Sequence, residues 1–373
     1  MKLLIGGDLV PTQSNIDLFN KADITALLGE ELLALWNSAD MRIFNLEVPL
    51  VDKEEPIDKC GPNLISPTST VKGIKGLNPS LITLANNHIL DQGEQGIKST
   101  QDILNKNNIP FVGVGDNLFE ASKPYIVKKD GFKIGVYACA ENEFTIATEK
   151  TSGANPFDPL ESLDHIHKLK DQCDYVIVLY HGGKEHYRYP SPYLQKVCRK
   201  IAEKGADLVI CQHSHCIGAY EHYNKSTIVY GQGNFIFDRS NSEYWQTSLL
   251  IKIVISVELK IEFVPICKSG NRVVLADDNQ SEIILTELEE RSIKISDKEF
   301  VKKQYEKLAI ENQNYYLRQM SGFPRWVRGI DKVIFKGKLI SILYNKGKLV
   351  CIRNIIECEA HRELLLKSLN NED

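Results

Sequence analysis

A chain of 373 residues with 43% hydrophobic content can bury a sizeable core, and its length accommodates a main domain of roughly 250 residues plus a smaller appendage. The formal net charge of -4 and the pI near 6.2 argue against a general nucleic-acid binder, which would carry a strong excess of Lys and Arg. Nine cysteines, an odd number with no CxxC pair and mostly inside apolar runs, predict buried free thiols in a reducing compartment. No apolar run approaches the roughly 18 residues that span a bilayer, and the first strand starts at Lys2, so the expected location is cytoplasmic.

Up to about Asp116, short apolar runs alternate with amphipathic stretches. KLLIG is followed by a helix over 23–38, RIFNLE by a Pro- and Gly-rich loop, SLITLAN by a helix over 93–107, and then comes IPFVGVG. After KIGVYA, a helix near 160–172, the strand DYVIVLYH, a helix over 192–204 and the strand ADLVICQH repeat the alternation, which indicates an α/β layered fold. STIVYGQGNFIFD and TSLLIKIVISVELKIEFVPI then read as a mixed or antiparallel region with a turn at Val257 and Glu258. Beyond Lys268 the composition shifts to an acidic helical stretch over 277–299, a helix over 298–320 and a basic segment over 318–353. That last segment sets nine Lys and Arg against the single acid Asp331.

Five polar clusters each end an apolar run: GGD at 6–8, NLE at 45–47, ANNH at 85–88, HGGKE at 181–185 and HSH at 213–215. Strand ends would carry these to one rim of a sheet, supplying two carboxylates, an amide and several imidazoles. Such donors suit borderline divalent ions at a hydrolytic site. Gly6 and Gly7 make the turn before Asp8 permissive, and the two oxygens of Glu47 can bridge two ions. Asn86, Asn87 and His88 follow SLITLA, and a histidine outside the ligand set can protonate a leaving group. His181 precedes Gly182 and Gly183, and His213 and His215 put both rings on one face if their strand continues. His165, His167, His222 and His361 read as structural histidines, and Cys211 and Cys216 as buried thiols.

GGDLVPT, NLEVPL, LANNHILDQGEQGI, GVGDN followed by Ala121 and Pro124, HGGKEHYRYPSPYLQ, GADLVICQHSHCIGAYEHY and IVYGQGNFIFD occur in that order over about residues 1–240. The series resembles the CapA family, which is linked to capsule and poly-gamma-glutamate synthesis and lies within the calcineurin-like metallophosphatase superfamily. The resemblance implies a four-layer α-β-β-α metallophosphatase-like sandwich over 1–267 and a small mixed α/β C-terminal region over 268–373. It gives one metal to Asp8, Glu47 and His215, a second to Glu47, Asn87, His181 and His213, and the role of general acid to His88. Asn45, Asn86, Glu185 and Asn234 become candidates for contacts to substrate or to the ligands. Two departures stand out: Val10 occupies the third position of the superfamily's DxH, and Glu47 stands where many relatives have Asp.

The implied activity is metal-dependent hydrolysis of a phosphorylated or anionic substrate related to capsule or poly-gamma-glutamate polymer, with one or two ions of manganese, iron or zinc. Two alternatives stay open: a noncatalytic metal-binding assembly or export factor working with a synthesis-complex partner, and an amidase on gamma-linked glutamate. No nucleic-acid partner is expected. In the basic segment Phe323, Trp326, Ile330, Val333 and Ile334 recur at helical spacing amid Arg325, Arg328, Lys332 and Lys336. An amphipathic helix of this kind packs against the main domain, forms a basic rim for an anionic polymer, or makes weak contact with a membrane surface.

Overall fold

The computed structural model describes residues 1–256, 258–335 and 338–369, and of Arg325, Arg328, Lys332, Lys338 and Ser341 it describes the backbone alone. Compactness divides the chain into a unit Met1–Lys302 and a unit Lys303–Asp373. The first half of the chain supplies β1 (Lys2–Val10), β2 (Met41–Leu46), β3 (Leu81–Thr83), β4 (Phe111–Val112), β5 (Val114–Gly115), β6 (Tyr125–Lys129), β7 (Phe132–Ala140) and β8 (Gly153–Ala154). The second half supplies β9 (Tyr175–His181), β10 (Leu208–Gln212), β11 (Tyr220–Tyr223), β12 (Ser226–Val229), β13 (Asn234–Phe237), β14 (Thr247–Ile255), β15 (Leu259–Ser269) and β16 (Arg272–Leu275).

These strands build an eight-stranded sheet in the order β16-β15-β14-β1-β2-β3-β4, with β13 also paired to β1, and a six-stranded sheet in the order β11-β12-β10-β9-β7-β6. β5 and β8 pair separately. The helical crossovers make the inner strands parallel, whereas β14 and β15 are antiparallel as their unbroken apolar run suggested. Of the two residues expected in the turn joining them, Val257 lies outside the described residues.

Side-chain alternation in the six-stranded sheet explains the layering. Ile134, Val136, Ile177, Leu179, Leu208 and Ile210 share a core with Leu3, Ile5, Ile43 and Ile251 of the larger sheet. Their neighbours Tyr137, Val176, Val178, Val209 and Cys211 face the opposite way, onto Ile166 and Leu169 of the helix Ser162–Lys170 and Val197, Cys198 and Ile201 of the helix Pro192–Glu203. Helices Ile24–Asn37 and Gly93–Lys106 pack on the larger sheet through Leu28, Leu32, Trp36, Ile97 and Leu104. Trp36 anchors that layer: its ring centre lies 4.8 Å from Phe235, and its Nε1–H donates to the Leu77 carbonyl at 2.8 Å. The result is a four-layer α-β-β-α sandwich.

After β16, the described residues are helical. The expected acidic stretch becomes the helix Asp278–Lys294, capped by a reciprocal pair between Asp277 and Gln280, and the helix expected over 298–320 is Lys298–Met320. Helices Arg325–Val333, Lys338–Leu343, Lys346–Glu357 and Glu359–Leu369 follow. No helix among the described residues is long and apolar enough to cross a membrane.

Candidate metal centre

Strand ends deliver the donors, and local distortions aim them. The β1–β2 register shifts between Ile5 and Asp8, after which Asp8 pairs with Asn45 and, on its other side, with Asn234. A Cβ on Gly7 would lie 1.9 Å from the Gly233 carbonyl oxygen, so this close backbone approach needs a glycine. β9 ends in His181. β10 ends one residue before the HSH cluster, and His213 and His215 both take left-handed backbone angles, with φ of 86° and 54°. Such values are uncommon for residues with side chains and concentrate at functional sites. The strand therefore does not continue through HSH: a strained turn, rather than strand alternation, holds the two rings with centres 6.0 Å apart.

Donor atoms of Glu47, His181 and His213 all lie within 4.8 Å of one another, as do those of Asp8, Glu47 and His215, so Glu47 belongs to both groups. All five side chains are buried. Around His181 Nε2 stand Asn87 Oδ1 at 3.0 Å, His213 Nδ1 at 3.2 Å and Glu47 Oε1 at 3.2 Å. A ring nitrogen carries at most one proton and cannot serve three acceptors. Both Glu47 carboxylate oxygens are buried without a hydrogen-bond partner, although Oε1 lies 3.2 Å from His181 Nε2. Orphaned lone pairs converging in this way fit a divalent cation, which can satisfy them together.

The electrostatics agree. Burial, followed by repulsion from Glu47, pushes the Asp8 carboxyl up to about 7, and burial pushes Glu47 up to about 8. Burial lowers His181, and burial with neighbouring imidazoles holds His213 well below its ordinary value. Burial takes His215 down to about 3. Neutral imidazoles with free lone pairs beside two carboxyls short of counter-charge make a cation site.

The remaining predicted residues surround these donors. Asn86 Nδ2 donates to Asn45 Oδ1 at 3.1 Å, and Asn45 Nδ2 donates to Asp8 Oδ1 at 2.8 Å, a relay that fixes the carboxylate. Asn86 Oδ1 also accepts the His88 N–H at 3.1 Å. Asn234 Oδ1 lies 2.8 Å from His215 Nδ1, while its Nδ2 is buried without a partner. Glu185 is more exposed, with Oε1 4.0 Å from His213 Nε2. Cys211 faces the helix-covered core, its sulfur 3.5 Å from that of Cys198, and burial pushes the Cys216 thiol up to about 11; neither joins the donor groups.

Sequence reasoning missed several neighbours. Asp91, which lies three residues beyond the ANNH cluster, is fully buried with Oδ2 2.6 Å from His88 Nδ1, and Lys59 pairs with its other oxygen. The i, i+3 spacing in HILD was the available signal. Trp245 Nε1–H donates to His186 Nε2 at 2.9 Å, and its ring centre lies 4.6 Å from that of His215. Lys59, His88, Glu185, His186, Arg239 and Trp245 line a cavity of about 400 Å³ beside the donors. A larger cleft of about 640 Å³ near Glu94, Lys98 and Tyr125 contains none of the candidate residues.

The chain is 32% identical over 173 residues to the PGA biosynthesis protein CapA of Bacillus subtilis, covering 46% of each chain. It is 29% identical over 204 residues to the capsule biosynthesis protein CapA of Bacillus anthracis, covering 52% of this chain and 50% of that one. It thus spans about half the length of the curated relatives it matches. Among solved structures it is similar to a putative 5'-nucleotidase from Staphylococcus aureus at 14% identity and a TM-score of 0.44, covering 78% of this chain and 58% of that one. The profile of the bacterial capsule synthesis protein PGA_cap matches residues 2–239, more than half of the sequence, and the chain belongs to that family.

Proposed function

We propose that the chain is a metal-dependent hydrolase acting on a phosphorylated or otherwise anionic substrate in the production of a capsule or poly-gamma-glutamate polymer. The observation that carries this reading is the convergence of two donor groups on Glu47 beside a separately oriented His88. In this reading Asp8, Glu47 and His215 hold one cation, and Glu47, Asn87, His181 and His213 hold another. Manganese, iron or zinc suits the mixture of carboxylate, amide and imidazole. Such ions supply, when bound, polarisation of a substrate oxygen and acidification of water. Asp91 holds the proton of His88 Nδ1, which leaves Nε2 to give a proton to a departing oxygen. Arg239 stands on the cavity wall with the Asp91-paired Lys59 and with Glu143 and Glu185, so the anion preference of this reading rests on the bound cations, and the names of the curated relatives support the polymer setting.

A second reading, a metal-binding assembly or export factor without turnover, draws on Val10, which is buried at the end of β1 where the wider superfamily has a histidine. That leaves the Asp8 group one imidazole short. Elemental analysis paired with hydrolysis of a phosphomonoester and a phosphodiester in manganese tests both readings. About two equivalents of metal with turnover lost in His213→Ala supports the hydrolase. No turnover with any metal supports the assembly factor, and glutamate release without phosphate release supports an amidase.

A further inference from the structure

We infer that the helix Arg325–Val333 is a docking surface for an anionic lipid bilayer. The inference does not depend on the proposed hydrolase activity. At about 100° per residue, positions 326, 330, 333 and 334 fall on one side of this helical segment and positions 325, 328 and 332 on the other. The first set is Trp326, Ile330, Val333 and Ile334, the second Arg325, Arg328 and Lys332. Every member of the apolar set is exposed, Trp326 by 68% and Val333 by 77%, and the adjoining Phe335 is exposed as well.

Among the described residues of the unit Lys303–Asp373, Ile340 is the sole buried apolar side chain, whereas Ile310, Met320, Ile342, Val350, Leu364 and Leu369 are exposed along with the stripe. Exposed apolar area on this scale marks an interaction surface. Charge selects the occupant. Residues 303–373 hold 13 Lys and Arg against 8 Asp and Glu, while residues 1–302 hold 32 against 41. The positive excess lies in 318–353, the same stretch that carries the stripe. A helical sequence that sets Trp and aliphatic positions opposite Lys and Arg positions matches the boundary between acyl chains and anionic headgroups. A tryptophan at the edge of such a stripe suits that boundary, since its ring is apolar and its N–H reaches the headgroups.

The full chain supplies its own reporter. Trp36 is fully buried and Trp245 is 8% exposed, so Trp326 is the tryptophan whose emission responds to lipid. Vesicles of phosphatidylcholine with phosphatidylglycerol are expected to sediment the protein and shift its emission to the blue, with binding falling about tenfold at high ionic strength and in pure phosphatidylcholine. Trp326→Phe should keep binding and lose the shift. Trp326→Glu and Val333→Glu, both at exposed positions and checked for an unchanged circular dichroism spectrum, should each reduce binding about tenfold or more. Equal binding to neutral and anionic vesicles, or no binding to either, overturns the proposal. So does a lipid-free dimer that shifts Trp326 emission by itself, which would make a second copy the occupant.

Discussion

His88 Nδ1 lies 2.6 Å from Asp91 Oδ2, and the same carboxylate oxygen accepts the Leu64 N–H at 2.6 Å while the other meets Lys59. The carboxylate is fully buried, so it fixes both the tautomer and the direction of the imidazole. His88→Ala is therefore expected to lower kcat by about 10²–10⁴-fold on a phosphodiester, with metal content unchanged. Asp91→Asn should produce a smaller loss of the same kind, because the ring loses the carboxylate that fixes its tautomer and direction. Turnover unchanged in His88→Ala would remove His88 from the mechanism.

Glu47 belongs to both donor groups, whereas Glu185 approaches only His213, at 4.0 Å. Glu47→Gln keeps the volume but removes the charge, and it should leave at most about one equivalent of metal after dialysis. Glu185→Gln should leave the metal content at the wild-type value. Elemental analysis of the two variants side by side provides the check. Two equivalents retained in Glu47→Gln would mean that no shared ligand exists.

The raised carboxyls couple metal, protons and stability. Asp8 sits at about 7 and Glu47 at about 8 in the metal-free fold, against about 3.9 and 4.3 in an unfolded chain. The folded state thus holds protons that the unfolded state has released. Stability from this source is complete below about pH 4 and is lost as pH rises through about 7 to 8. In chelator the melting temperature should consequently fall between about pH 4 and pH 8 and level off above that, and saturating manganese should flatten the curve. Apparent metal affinity should climb over the same interval. A chelated protein whose melting temperature does not change with pH would refute the coupling.

Legibility in the sequence followed the range of the signal. The α/β alternation and the polar clusters at strand ends were readable because both are local patterns, and Asp8, Glu47, Asn87, His181, His213 and His215 do meet at one rim. The turn at His213 and His215 was not readable, since a positive φ on histidine is imposed by tertiary contacts and not by propensity. Asp91 and Lys59 escaped for a related reason. Neither stands in a cluster that ends an apolar run, and 32 residues of sequence separate two groups that form one buried pair. Trp245 lies outside every such cluster, and only the packing of His186 and His215 against it reveals that it borders the cavity.

The approach of β1 to Gly233 carries a prediction about the fold itself. A Cβ on Gly7 meets the Gly233 carbonyl at 1.9 Å, and that atom is backbone, so relief requires moving the chain rather than rotating a side chain. Gly7→Ala should cost about 3 kcal/mol or more, at the upper end of overpacking. Because Asp8 follows directly and pairs with Asn234, metal content should fall with stability. Gly329 provides the contrast: it lies inside the helix Arg325–Val333 with nothing within 4 Å of its added Cβ. Gly329→Ala should leave both the main unfolding transition and the metal content as they are, while favouring its own helix by about 0.5–1 kcal/mol. Denaturant melts read alongside metal analysis separate the two cases. A Gly7→Ala protein with native stability and full metal would show that the β1 bulge tolerates a side chain, and that the aim of Asp8 does not depend on it.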